Sequence, residues 1–312
     1  MGYGNIYSST EGIYKSVGCI SLQNYELSFE QPFKVYMTPV GYGFTMLEAA
    51  ITNCLYYGVD SIWITVNDDE LPWAKKCVGQ LGYDPVRYID RFSINKTDQR
   101  KRVPIYFVPT FTRYRDYCDN YTFGFINAGL MAKKVYGHVS SYCEPDYYFF
   151  SSPFGLLDPK QLREKRSEFK SANKKSLFYH NGQTALDGVH LPMCIDKEQL
   201  DRLKKHTLSL STGKSRTTGE YRDNGLPVFE RLPPEETLKG KRLTANETYS
   251  CLEEDEFSHY DLESFFNIES WDDYVDYMSS DLKVNKRSLL KRKYVLHPMT
   301  KETWKNGQDK TE

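Results

Sequence analysis

Residues 33–67 read Phe33-Lys34-Val35-Tyr36-Met37-Thr38-Pro39-Val40-Gly41-Tyr42-Gly43-Phe44-Thr45-Met46-Leu47-Glu48-Ala49-Ala50-Ile51-Thr52-Asn53-Cys54-Leu55-Tyr56-Tyr57-Gly58-Val59-Asp60-Ser61-Ile62-Trp63-Ile64-Thr65-Val66-Asn67. The short apolar run over 33–38 predicts a buried strand. Gly41, Tyr42 and Gly43 follow, where the chain can turn tightly and bring backbone N–H groups near a ligand. Thr45 with Glu48 three residues on predicts a capping box that opens a helix. Leu47, Ala50, Ile51, Cys54 and Leu55 then recur at helical spacing. Gly58 suits the helix stop, and 61–66 predicts a second strand ending at Asn67-Asp68-Asp69. The stretch is a strand–turn–helix–strand unit, and open α/β sheets bind ligands at the carboxyl edge of such strands.

The chain has 312 residues, 39% hydrophobic and 27% charged, the composition of a soluble globular protein. No apolar run is long enough for a membrane span. Formal net charge is -1, which argues against bulk nucleic-acid binding. The seven cysteines are scattered, without a Cys-x-x-Cys pair, as expected of reduced thiols rather than a disulfide framework or zinc site. With no basic segment leading into an apolar core at the N-terminus, a cytoplasmic location is expected. The 25 tyrosines read mainly as amphipathic edges of the core.

Outward from the central unit, residues 1–32 are polar and Tyr-rich and read as an arm. A helix is expected over 72–82, a surface loop over 90–102, and strands over 103–108 and 146–152. Between those strands a helix runs over 123–136, its Ala128, Gly129 and Ala132 allowing close packing. Asp158-Pro159 predicts a capped helix start. Strands are expected at 176–179 and 265–268. Ser270 with Asp273 predicts another capping box. The Ser, Thr and Gly-rich stretch 209–225 reads as a loop. Residues 283–293 concentrate Lys and Arg, as a solvated tail facing the acidic run 253–256 would. The domain expected is 33–282, with 283–312 a basic tail.

Three local matches, in this order, resemble the nucleotidyltransferase branch of the GT-A fold. They are Met46-Leu47-Glu48 with Gly58-Val59-Asp60-Ser61-Ile62, then residues 123–132 with 146–162, then Phe265-Phe266-Asn267-Ile268-Glu269-Ser270-Trp271-Asp272-Asp273-Tyr274. The last is similar to the closing segment of molybdopterin-type guanylyltransferases. The overall style also resembles nucleotidyltransferase-like proteins of tailed phages, which would place the chain in a host cytoplasm. The resemblance implies a GT-A-like (Rossmann-like) three-layer α/β/α fold with a mostly parallel mixed sheet. It implies transfer of a nucleotidyl group from a nucleoside triphosphate to a sugar phosphate or similar acceptor, with Mg2+ or Mn2+ as the cation. The partners expected are thus a nucleotide and a sugar-phosphate-like small molecule.

Two departures stand out. The family's first loop carries an Arg and a Lys for the triphosphate, whereas Phe44 and Thr45 follow Gly43 here. The family's strand-end Asp, which holds the metal, aligns with Pro153 or Gly155, neither of which offers a side-chain donor. The candidate nucleotide-binding residues are Val40, Gly41, Tyr42, Gly43, Asn67, Asp68 and Asp69. Asp69, Asp146 and Asn267 are the candidate metal ligands. Arg113 and Arg115 are the candidate catalytic cations, since Arg recognises phosphate through paired donors. Asp158 is explained as a helix cap, and Lys34 as a paired or snorkelling side chain. His180 and His190 read as structural, though their glycine-rich segment is able to line an acceptor pocket. Two other readings stand beside transfer: a nucleotide-sugar-dependent glycosyltransferase, which needs an Asp-x-Asp that 151–155 lacks, and a non-catalytic binding or assembly module.

Overall fold

The computed structural model describes residues 16–23, 27–29, 34–41, 43–88, 100–110, 120–171, 175–212, 243–282 and 290–291. Its central strand is β1 (Ser16–Ser21), buried along its whole length. A single 3-10 turn (Val35–Met37) and a small hairpin, β2 (Pro39–Gly41) with β3 (Phe44–Thr45), lead into α1 (Met46–Tyr57). Then come β4 (Ser61–Asn67), α2 (Leu71–Val78), β5 (Leu81–Tyr88), β6 (Arg100–Thr110) and α3 (Tyr121–Val139). They are followed by β7 (Tyr147–Phe150), β8 (Gly155–Leu157), α4 (Pro159–Glu164), α5 (Arg166–Ser171) and β9 (Ser176–Tyr179). The last described elements are β10 (Met193–Asp196), α6 (Lys197–Thr212), α7 (Ala245–Tyr249), β11 (Ser258–Asp261), β12 (Phe265–Asn267), α8 (Trp271–Ser279) and β13 (Leu290–Lys291).

Nine strands form one sheet in the order β11-β9-β10-β7-β1-β4-β6-β5-β13. β7, β1, β4 and β6 are mutually parallel, while β10 and β5 run against their neighbours on both sides. Helices cover both faces. A Cβ on Gly18 would stand 2.8 Å from Cys54 Sγ of α1. On the other face, a Cβ on Gly124 of α3 would stand 2.0 Å from Ser21 Oγ, so only glycine lets α3 lie this close. Thr65 Oγ1 donates to the Gly124 carbonyl at 3.0 Å and ties α3 to β4. Ile20, Ile51, Leu55, Ile62 and Ile64 are fully buried between the layers, each contributing about 1.5–3 kcal/mol by its removal from water.

Most expected elements are present. α1 opens on the Thr45–Glu48 capping box and stops at Gly58 in the left-handed region. α4 is capped by Asp158 and α8 by the Ser270–Asp273 box. Of the strand expected over 33–38, the described residues 34–38 form none. Thr38 Oγ1 donates to the Val35 carbonyl at 2.6 Å and closes the 3-10 turn, and Pro39 has no N–H to extend a ladder. The strand of the main sheet that comes before the first helix is instead β1, inside the segment expected to be an arm, so the sheet reaches back to Ser16 and, through β13, forward to Lys291. The helix expected over 72–82 ends at Val78, and the chain turns through Gly79 into β5. The loop expected over 209–225, apart from the end of α6, lies outside the described residues, as do 1–15, 283–289 and 292–312.

Candidate functional site

Strands β1, β4 and β6 end in a row of polar side chains. Ser21 pairs with Thr65, and the Leu22 N–H continues the ladder to the Thr65 carbonyl at 3.0 Å, bringing Gln23 level with Asn67. Asn67 in turn pairs with Thr110. Gln23 Nε2 donates to Thr110 Oγ1. Gln23 Oε1 and Asn67 Oδ1 are buried and have no hydrogen-bond partner. Leaving such an oxygen unpaired costs about 1–3 kcal/mol. Both are acceptors left without a donor, at adjacent strand ends.

The turn Asn67-Asp68-Asp69 continues from this row. The Asp68 N–H donates to the Thr110 carbonyl at 3.3 Å, and Asp69 N–H to Asp68 Oδ1 at 3.1 Å. Glu70 holds Lys34 at 2.6 Å, the pairing expected of that lysine. Val40 is buried, and its carbonyl accepts from Tyr277 Oη at 2.9 Å. The Pro39 carbonyl accepts from Tyr274 Oη at 2.7 Å. Gly41 ends β2, and Gly43 turns with φ 63°. The glycine turn leads into the start of α1, at the same sheet edge as Asp68 and Asp69.

The three candidate metal ligands do not come together. Asp146 immediately precedes Tyr147, the first residue of β7, and so stands at the amino edge of the parallel strands, opposite Asp69. Asn267 Oδ1 accepts from the His190 N–H at 3.1 Å, and its Nδ2 donates to Glu269 Oε1 at 2.6 Å. Its carboxamide is spent on pinning the strand end. Asp158 Oδ1 caps α4 through Lys160 N–H at 3.0 Å. Among the described residues no group of three or more His, Cys, Asp or Glu side chains is placed to hold a metal ion. Tyr42, Arg113 and Arg115 lie outside the described residues.

The histidine segment is held from within. Asp187 Oδ2 accepts from the Thr184 N–H at 2.8 Å. His180 Nδ1 meets the Leu262 carbonyl at 2.8 Å. His190 is buried, with its ring edge-on to Tyr121 at 5.4 Å between centroids. Burial pushes its imidazole down to about 3, so the ring is neutral at physiological pH. Gly188, Val189 and His190, with Tyr121, Ser152 and Tyr249, line a narrow cleft of about 30 Å³. At that size the cleft has room for about one water and is too small for a sugar phosphate. Sequence reading passed over Gln23 and Thr110. Their signal was weak: a polar residue just past a six-residue buried run, and a Thr closing a longer strand.

No family model matches the sequence, and no curated protein matches it. Solved structures do. A protein described as a glucose-1-phosphate thymidylyltransferase from Bacillus anthracis, in complex with sucrose, superposes with a TM-score of 0.50 at 10% identity, over 88% of this chain and 98% of that one. A UTP-bound UGPase from Acinetobacter baumannii gives a TM-score of 0.44 at 10% identity, over 96% of this chain and 100% of that one. At this identity the first likeness shows the fold: the GT-A-like α/β/α arrangement with a mostly parallel mixed sheet. No helix among the described residues is long and apolar enough to cross a membrane.

Proposed function

We propose that this chain is a nucleotidyltransferase-like protein that takes a nucleotide at the carboxyl edge of β1, β4 and β6, with a sugar phosphate or similar small molecule as acceptor. The observation that supports it is the polar row with its two unpartnered buried oxygens, Gln23 Oε1 and Asn67 Oδ1. Phosphate oxygens only accept hydrogen bonds and would be repelled there. Base imino and amino groups and ribose hydroxyls donate, so the nucleoside end meets the row. The phosphates in this reading point along the edge toward the turn at Gly41 and Gly43, and Arg113 and Arg115, which follow β6 in sequence, are the candidate cations for them. In this reading the acceptor's phosphate oxygen attacks the α-phosphorus, the bond to the bridging oxygen breaks, and pyrophosphate leaves. The protein contributes positioning and charge neutralisation.

The family resemblance also implies a divalent cation, and the residues described do not fit one. Of the three candidates, Asp69 is at the carboxyl edge, Asp146 is at the opposite edge, and Asn267 Oδ1 already accepts from the His190 N–H. They do not gather around one ion, and Gly155 offers no side-chain donor. That misfit favours the second reading, a nucleotide-binding module without transfer. A thermal-shift panel of nucleosides, nucleotides and nucleotide sugars tests the binding. A pyrophosphate-release assay with each nucleoside triphosphate and a set of sugar phosphates then separates the two readings. Stabilisation with turnover supports transfer, and stabilisation without turnover supports the module. No stabilisation by any member of the panel removes both.

A further inference from the structure

Gly155 of β8 and Asn267 of β12 are direct cross-strand partners. The peptide group of His190 lies against this pair. Its N–H donates to Asn267 Oδ1 at 3.1 Å. Its carbonyl occupies the space beside Gly155: a Cβ built there would stand 2.0 Å from His190 O and 3.0 Å from His190 C. No residue with a side chain fits at 155 while His190 stays in place, and a carboxylate least of all. The Asn267 oxygen spends one of its two lone pairs on this N–H. Asn267 Nδ2 is tied to Glu269 in turn.

The His190 backbone is held on both sides. Upstream, the Thr184–Asp187 capping box and Gly188, with φ 91°, set the turn. Downstream, β10 is locked between β7 and β9. His190 itself is wedged between Tyr121 and Phe154, with centroids at 5.4 and 5.3 Å. A segment fixed this way is a built part of the fold.

We infer that the His190 peptide group permanently fills the position beside Gly155 and Asn267 of the two-stranded β8–β12 sheet, and that no divalent cation is held there. At this place Asn267 Oδ1 finds its donor in the His190 N–H. Where the nucleotide reading holds, which this consequence rests on, nucleotide affinity does not depend on a cation held by Asn267.

The test is a Mn2+ titration of the full chain followed by electron paramagnetic resonance, on wild type and Asn267→Ser, with folding checked by circular dichroism. Equal Mn2+ binding by both proteins is expected, because loss of a ligand or its support weakens an ion by about 10-fold or more. A weakening of that size in Asn267→Ser overturns the inference. Should that variant fold poorly, wild type alone decides through amide NMR. The His190 backbone and Asn267 side-chain signals are expected to survive substoichiometric Mn2+, and their selective broadening overturns the proposal. Gly155→Ala is expected to lower the melting temperature, since its methyl group meets the His190 carbonyl. Melting with the wild type would show that His190 is not held there, again overturning it. Nucleotide titrations with EDTA and with Mg2+ complete the set. Equal affinities agree with the inference, whereas affinity that needs Mg2+ and falls in Asn267→Ser defeats it. Absence of any nucleotide binding counts against the nucleotide reading alone, and the Mn2+ result still stands.

Discussion

Arg166 of α5 grips Asp84 of β5 with both ends of its guanidinium, at 2.8 and 2.5 Å, and both side chains are buried. The guanidinium passes over Gly58, where a Cβ would stand 2.4 Å from it, so the stop of α1 leaves room for the pair. Removing one partner strands the other charge away from water. Asp84→Ala or Arg166→Ala should therefore cost about 3–5 kcal/mol in urea unfolding. The double replacement by Leu and Met should cost much less. Equal losses in the single and double variants would show that the pair is not coupled.

His190 gives the fold a pH dependence of known sign. Burial lowers its imidazole from 6.5 to about 3 in the folded chain. The unfolded chain takes a proton below about 6.5 and the folded chain does not, so this contribution is full above 6.5 and is lost as pH falls from there toward 3. A melting-temperature profile over that window should fall for the wild type and fall less for His190→Gln. Parallel profiles would mean that His190 does not stay neutral.

The parts of this fold that were legible in sequence are those governed by local chemistry. Thr45 with Glu48, Gly58, Asp158 with Pro159, and Ser270 with Asp273 announce helix ends through bonds made within four residues. β1 announces nothing. Ser16, Gly18 and Ser21 interrupt its apolar run because α1 and α3 press on it from both sides and only small residues fit. The segment 34–38 misleads in the opposite direction, since Val35–Met37 form a 3-10 turn flanked by the Lys34–Glu70 ion pair. The site was half legible for the same reason. Asn67, Asp68 and Asp69 follow an obvious strand, whereas Gln23 follows a hidden one. Asn267 is a metal-ligand candidate in the sequence, and only the tertiary contact with His190 shows that it pins the strand end.

Tyr277 joins α8 to the turn ahead of α1. Its hydroxyl donates to the Val40 carbonyl at 2.9 Å, and its ring stands edge-on to Phe266 at 5.5 Å. Tyr277→Phe keeps the ring and leaves a buried carbonyl short of a donor, at a cost of about 1 kcal/mol. Calorimetric melting should register that loss. A similar change in Tyr274→Phe is expected to be smaller, because Tyr274 is only half-buried. A larger effect at 274 than at 277 would contradict the arrangement.

Asn67 and Gln23 separate stability from binding. Asn67→Leu swaps the carboxamide with its unpartnered oxygen for an apolar side chain of similar size in a buried position. A group kept only for folding would make that change harmful. A group kept for a ligand should instead leave the free protein unchanged or about 1 kcal/mol more stable, since the orphaned oxygen is removed. Gln23→Leu should gain less, because it also breaks the bond to Thr110. Each variant loses one acceptor for a base or ribose donor. Nucleotide affinity should then drop by about 10-fold, the equivalent of about 1.4 kcal/mol. Urea unfolding of the free proteins and calorimetric titration with whichever nucleotide stabilises the wild type measure the two quantities independently. Loss of stability with retained affinity in Asn67→Leu would assign the row to folding and move the nucleotide elsewhere on the edge.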